Sequence, residues 1–280
     1  MKCFYHTDMD GHCSGAIIYD YLQGIDYDEG KEFIRWDYNM EFPFDKIIPD
    51  EQVYIVDLSL PSIDKWERLL DITSNIIWID HHKSAIEDYK DITKDLDGIR
   101  KVGEAACTLT YNYCYPDQDV PMVVKLIADH DIWVYQYGDT TRWFQSGTKI
   151  CNTLPGSPIW ETWLNPTYYP SNEIAAGKII EIYRRNMNKS LVSSFSFFTE
   201  FEGYRAVCCN AAQVNSTLFD TVTQDFDLMI PFAFNGKTWQ VSIYTTKGNI
   251  DCSEIAKKYG GGGHKQAAGF VCERLPFSLP

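Results

Sequence analysis

Three short apolar runs in the first third of the chain each stop at an acid or an imidazole, and this pattern narrows the fold more than any other. Lys2-Cys3-Phe4-Tyr5 gives way to His6, Val53-Tyr54-Ile55-Val56 to Asp57, and Ile76-Ile77-Trp78-Ile79 to Asp80-His81-His82. Runs of this length rich in β-branched and aromatic residues read as buried strands. Lys31 to Tyr38 is also strand-like, while Ser14 to Leu22 and Pro61 to Ile72, with proline near its first turn, suit helices. Strands alternating with helices imply crossover connections and a parallel sheet. The polar strand ends then share the carboxyl edge, where open α/β folds place their ligands.

The loop after the first run, His6-Thr7-Asp8-Met9-Asp10-Gly11, alternates imidazole and carboxylate. If extended, it turns His6, Asp8 and Asp10 to one side, and Gly11 lets the backbone bend into the next helix. Residues 103–114 and 121–130 read as further helices, the second running into Asp129-His130-Asp131. Every histidine lies in such a polar cluster or, for His264, in a glycine run. The pool His6, Asp8, Asp10, Asp57, Asp80, His81, His82 and Asp129 contains no thiolate. It favours manganese or magnesium, is compatible with zinc, and argues against an iron–sulfur or thiolate-zinc site. Nine cysteines without a C-x-x-C pair read as reduced thiols in a cytoplasmic protein.

The balance of 25 basic against 39 acidic residues, net −14, limits the partners. Proteins that track long nucleic acids gain affinity from a stripe of Lys and Arg, which this chain lacks. An anionic substrate should therefore be short and bind where cations offset the carboxylates. Long duplex DNA is not expected as a partner. Neither is a membrane, since no apolar run approaches the roughly 20 residues of a span and no signal-peptide core follows Met1. Self-association into a homodimer is compatible with these totals.

Residues 138–171 are irregular and proline-punctuated, and read as loop or short helices on the first domain. Trp133, Tyr135, Tyr137, Trp143 and Phe144 have the chemistry to stack on bases, but in a chain 15% aromatic they read first as core and rim residues. Asn172 to Ser193 reads as one long connecting helix. Beyond it the pattern is strand (Arg205 to Asn210), helix (Gln213 to Thr223), two strands (Leu228 to Phe234 and Trp239 to Thr245) and helix (Cys252 to Tyr259). The two later strands meet at Asn235-Gly236, a hairpin signal. In the closing run Gly260-Gly261-Gly262-Gly263-His264-Lys265, bare backbone can approach a phosphate closely while His264 and Lys265 add donors.

Taken in order, His6 through Gly11, Asp57, Asp80-His81-His82, Asp129 and Gly260 through His264 resemble the motifs of DHH-family phosphoesterases with a DHH-associated C-terminal domain. That group includes RecJ-type exonucleases, nano-RNases and cyclic-dinucleotide phosphodiesterases. The resemblance spans nearly the whole chain and implies an α/β fold. A parallel-sheet DHH domain would cover 1–171, a linker helix 172–194, and a smaller α/β substrate-binding domain 195–280. It further implies two divalent cations, Mn²⁺ first with Mg²⁺ or Co²⁺ as alternatives. His6 and Asp8 would hold one, Asp10, His81 and Asp129 the other, with Asp57 bridging and a bridging water as nucleophile. By the same resemblance Asp80 orients an imidazole and His82 touches phosphate or the leaving oxygen. His264 and Lys265, with Gly261, Gly262 and Gly263, would grip a substrate phosphate.

The chain departs from RecJ-type enzymes in leaving no room for their OB-like module and in lacking their basic channel. The second domain is also short for the family. The expectation is therefore hydrolysis of short oligonucleotides, about two to five residues with few phosphates to neutralise, to mononucleotides. A cyclic-dinucleotide phosphodiesterase, which would open the ring at least as fast as it cleaves a linear dimer, is the nearest rival. A nucleotide-sequestering module without turnover and a pyrophosphatase-like enzyme releasing orthophosphate are rivals of other kinds.

Overall fold

The computed structural model describes residues 1–24 and 30–279. The chain forms two compact units, Met1–Ile180 and Glu181–Pro280. In the first, strands β1 (Lys2–Tyr5), β2 (Glu32–Arg35), β3 (Val53–Val56) and β4 (Ile76–Ile79) make an all-parallel sheet in the order β2-β1-β3-β4. Every side chain of β3 and β4 is buried, as expected of a parallel sheet covered on both faces. Tyr5 pairs with Val56 and Val56 with Ile79, so His6, Asp57 and Asp80 leave the sheet side by side. The chain moves to one side of β1 for β2 and to the other for β3. His6 and Asp57 therefore flank the topological switch point, the usual ligand position of such sheets.

Alternation along the strands divides the core in two. Cys3, Tyr5, Tyr54, Val56, Ile77 and Ile79 face one cluster. It also takes side chains from helices α1 (Met9–Gln23), α4 (Ala106–Cys114), α5 (Met122–Asp131), α6 (Asp139–Gly147) and α7 (Ile159–Trp163). Phe4, Ile55 and Trp78 face the other, shared with α2 (Ile63–Ile72) and Ala85 of α3 (Lys83–Tyr89). There the Trp66 and Trp78 rings lie 4.9 Å apart, and the Trp78 indole donates to the Leu58 carbonyl at 2.9 Å, pinning the chain just past Asp57.

Helix α8 (Ser171–Phe195) contains the boundary between the units. The second unit is a mixed sheet, β5-β6-β7-β8-β10-β9, formed by β5 (Ser196–Phe201), β6 (Tyr204–Asn210), β7 (Leu228–Phe234), β8 (Trp239–Tyr244), β9 (Gly262–His264) and β10 (Ala267–Cys272). Helix α9 (Cys252–Lys257) packs on it. The helix expected over Gln213 to Thr223 is only a 3₁₀ turn at Ser216–Phe219. Gln213 sits at φ +57°, and the Asn215 side chain accepts from Thr217 N–H to start a fresh turn, so the backbone cannot run on helically.

The glycine run also has a structural reason. Gly260 N–H and Gly261 N–H donate to the Lys257 and Ala256 carbonyls, closing the end of α9. A Cβ on Gly261 would lie 2.1 Å from the Gly269 carbonyl oxygen, and one on Gly263 would lie 2.6 Å from that of Ala267. The run thus lets an edge strand press against β10, and its first two amides are already spent.

Trp78→Phe removes the donor to the Leu58 carbonyl and opens space against Trp66. The unfolding free energy should fall by about 2–4 kcal/mol, read from urea unfolding with an unchanged denaturant slope. An unaltered midpoint would show that this contact does not hold the strand end.

Candidate metal centre

His6 follows β1, and Asp8 caps α1, its carboxylate accepting from Gly11 N–H at 2.9 Å. The segment is therefore not extended through Asp10, since the helix begins at Met9 and Asp10 lies in its first turn. Asp10 reaches the site from there, buried, with its oxygens accepting from Ala106 N–H and Cys107 N–H, both at 2.8 Å. Those amides open α4, and a helix N-terminus favours an anion. Gly11 serves close packing: a Cβ there would stand 2.3 Å from the His6 carbonyl oxygen.

Asp57 lies in the left-handed region at φ +58°, a conformation costly for a residue with a side chain. Its N–H donates to the Ile79 carbonyl at 2.9 Å, which locks it to the end of β4. Its carboxylate is buried between two imidazoles, with His6 Nδ1 at 3.7 Å and His81 Nε2 at 3.4 Å. His81 Nε2 also lies 3.5 Å from Asp131 and 3.8 Å from Asp10. His6 Nδ1 is 2.8 Å from Asp8.

Two donor sets result, His6, Asp8 and Asp57 on one side and Asp10, His81 and Asp131 on the other; a third grouping joins Asp57 to His81 and His82. Within each, ligand atoms lie within 4.8 Å of one another, close enough to share a cation. Asp57 stands at the junction.

Asp129, expected among the ligands, is placed differently. Its buried carboxylate accepts from Gln136 N–H at 2.7 Å, Tyr137 N–H at 3.3 Å and the Thr141 hydroxyl. It organises the loop after α5, while Asp131, two residues on, joins the candidate metal cluster. Sequence reasoning noted Asp131 only as a neighbour. Asp80 is fully buried and supports the turn: one oxygen accepts from His81 N–H at 2.8 Å, His82 N–H at 3.3 Å and His82 Nδ1 at 2.7 Å. That hydrogen bond pushes the His82 imidazole up to about 9, against the effect of burial. His264 and Lys265 lie exposed in the second unit, at the turn between β9 and β10.

The electrostatics suit cations. Burial raises Asp57 well above the usual carboxylate range, and the charges of Asp8 and Asp131 raise it further. Burial, Asp57 and Asp131 do the same to Asp10. Asp57 Oδ2 is buried without a hydrogen-bond donor, and among the described residues no Lys or Arg pairs with these acids. Protons are one way to neutralise such a cluster; divalent ions are another, and the oxygen and imidazole donors fit them.

A recess of about 340 Å³ opens beside His82, lined by Tyr38, Ser59, Leu60, Pro61 and Tyr89 among others. A larger one of about 640 Å³ borders Lys2 and Gln52, at the opposite edge of the sheet from these acids.

Residues 3–130 match the DHH family, N-terminal domain. Over those residues the chain is similar to that family. An uncharacterized protein of Acanthamoeba polyphaga mimivirus is 26% identical over 225 residues, covering 76% of this chain, which spans about half (51%) of that relative's length. The DHH domain of a member of a ribosomal-protein family shares the fold with TM-score 0.60 at 15% identity, over 97% of this chain and 82% of that one. The pGpG-specific phosphodiesterase PggH from Vibrio cholerae does so with TM-score 0.56 at 13% identity, over 97% and 93%. Among the described residues, no helix is long and apolar enough to cross a membrane.

Carboxylates with raised folded-state values stabilise the chain at low pH, and that contribution is lost as pH rises through those values. At neutral pH in EDTA, Asp57→Asn should therefore melt higher than the wild type, by roughly 2–4 °C for each kcal/mol of repulsion relieved. Mn²⁺ should raise the melting temperature of the wild type but not that of Asp57→Asn. Calorimetry should find Mn²⁺ binding weakened by Asp131→Asn and retained by Asp129→Asn. The reverse order would return the ligand role to Asp129.

Proposed function

We propose that this chain is a Mn²⁺-dependent phosphodiesterase that hydrolyses short oligonucleotides, about two to five residues with few phosphates to neutralise, to mononucleotides. The observation that carries the reading is the pair of donor sets meeting at the buried, strained Asp57. Two divalent cations bound there would supply Lewis acidity to the phosphoryl oxygens and lower the pKa of an attacking water. In this reading His6, Asp8 and Asp57 hold one cation. Asp10, His81 and Asp131 would hold the other, and Asp131 takes the place first given to Asp129.

The protein's own groups supply the rest. His82, kept protonated by Asp80, offers an N–H to a phosphate oxygen or a proton to the departing oxygen. Asp80 acts by orienting that ring. The recess beside His82 gives room for the part of the substrate flanking the scissile bond. In the second unit the exposed His264 and Lys265, next to Gly262 and Gly263, are donors suited to a phosphate; Gly261 contributes only the close packing of the edge strand.

The test is product analysis with the purified chain in Mn²⁺ on pGpG, pApA, a five-residue RNA, a long single-stranded DNA and a cyclic dinucleotide. Linear dinucleotides should be cleaved fastest. Asp57→Ala should abolish turnover, and Asp80→Asn should lower it by about 10- to 100-fold. Faster opening of the cyclic compound would favour the cyclic-dinucleotide reading, and intact ligand after tight binding the sequestering one. Turnover of none of them, or wild-type rates in Asp57→Ala, would sink the proposal.

A further inference from the structure

The loop after α5 carries an unusual combination. Trp133 and Tyr135 both adopt left-handed backbone, φ +57° and +53°, which bulky side chains rarely tolerate. Trp133 is nevertheless 75% exposed, so its conformation does not serve to bury the ring. The ring lies near-parallel to that of His130, 30° apart in tilt with centroids at 6.1 Å, and Tyr135 meets both edge-on at 5.9 Å.

The loop is held firmly. Asp129 takes Gln136 N–H, Tyr137 N–H and the Thr141 hydroxyl on its buried carboxylate, and its carbonyl accepts from Tyr135 N–H at 3.4 Å. Positive charge gathers nearby, although the chain as a whole is acidic. The Arg142 guanidinium sits 4.7 Å over the Tyr135 ring while pairing with Asp139 at 3.3 Å, and Lys149 is in electrostatic reach of His130. Trp133 follows Asp131, whose carboxylate belongs to the candidate metal cluster, by two residues.

We infer that Trp133, backed by His130 and Tyr135 and fixed by Asp129, is a platform that stacks against a nucleobase of a substrate whose phosphate lies at the metal centre. This deepens the nucleotide reading above and rests on it. Stacking on an exposed, pre-positioned indole suits any base, because every base offers a π-face. Asp129 is a positioning residue, acting through the loop.

The platform is tested by titrating AMP and ribose 5-phosphate, which differ only in the base, into the purified full chain with Mn²⁺ in a calorimeter. The wild type should bind AMP roughly tenfold or more tightly than ribose 5-phosphate. Trp133→Ala should bring AMP down to the level of ribose 5-phosphate, whose own affinity stays unchanged, and Trp133→Phe should keep most of the preference. Asp129→Asn should lose the preference while still binding Mn²⁺. Equal affinities in the wild type, or a preference that survives in Trp133→Ala, would overturn the inference. A chain that prefers AMP yet leaves every dinucleotide intact keeps the platform and loses the phosphodiesterase reading. One that cleaves dinucleotides without preferring AMP loses the platform alone.

Discussion

Asp10 and Asp57 are buried at the carboxyl edge of a parallel sheet with no lysine or arginine paired to them among the described residues, and the first unit is arranged around that cost. A carboxylate taken out of water needs a proton, a hydrogen-bonding cradle or a cation. Asp10 has the cradle, two amides at the start of α4. Asp57 has imidazoles on either side and one oxygen with no donor. Strand register puts His6 beside Asp57 and Asp57 beside Asp80, and the helices supply the acids that cannot come from strands.

The strand-borne part of the centre is readable from sequence because its signal is local. An apolar run that turns abruptly polar marks both a buried strand and the residue at its tip, and register does the rest. His6, Asp57, Asp80, His81 and His82 all follow from that rule. Asp129 and Asp131 escape it. Two residues apart, they are separated by about 200° around a helix, so one turns from the site when the other faces it. Which one does depends on the loop that Asp129 itself organises through Gln136, Tyr137 and Thr141, and no periodicity announces that loop.

The same distinction runs through the second unit. Its central strands, Leu228–Phe234 and Trp239–Tyr244, are apolar and joined at a recognisable Asn-Gly turn, and so are visible in the sequence. The edge strand Gly262–His264 is nearly all glycine. Its pairing is imposed by tertiary contact with β10 and not by any propensity of its own. A run of four glycines has two physical explanations, approach to a ligand phosphate or approach to neighbouring backbone. The close contacts at Gly261 and Gly263 account for two of the four by the second.

Backbone strain ties the chemistry to the fold. Of the six non-glycine residues at positive φ among the described residues, Asp57 belongs to the candidate metal centre, and Trp133 and Tyr135 follow its Asp131 by two and four residues. Each is held by an amide hydrogen bond to a neighbouring element: Asp57 to Ile79, Trp133 to His130, Tyr135 to Asp129. A strained residue persists only where its surroundings over-determine it, so the folded core meets that cost before any substrate arrives. A donor set or aromatic face ordered in advance gives up little further conformational freedom on binding. In the proposed reaction the rigid sheet edge and the buried Asp129 would act indirectly, by removing the ordering step that a flexible loop would have to complete each time.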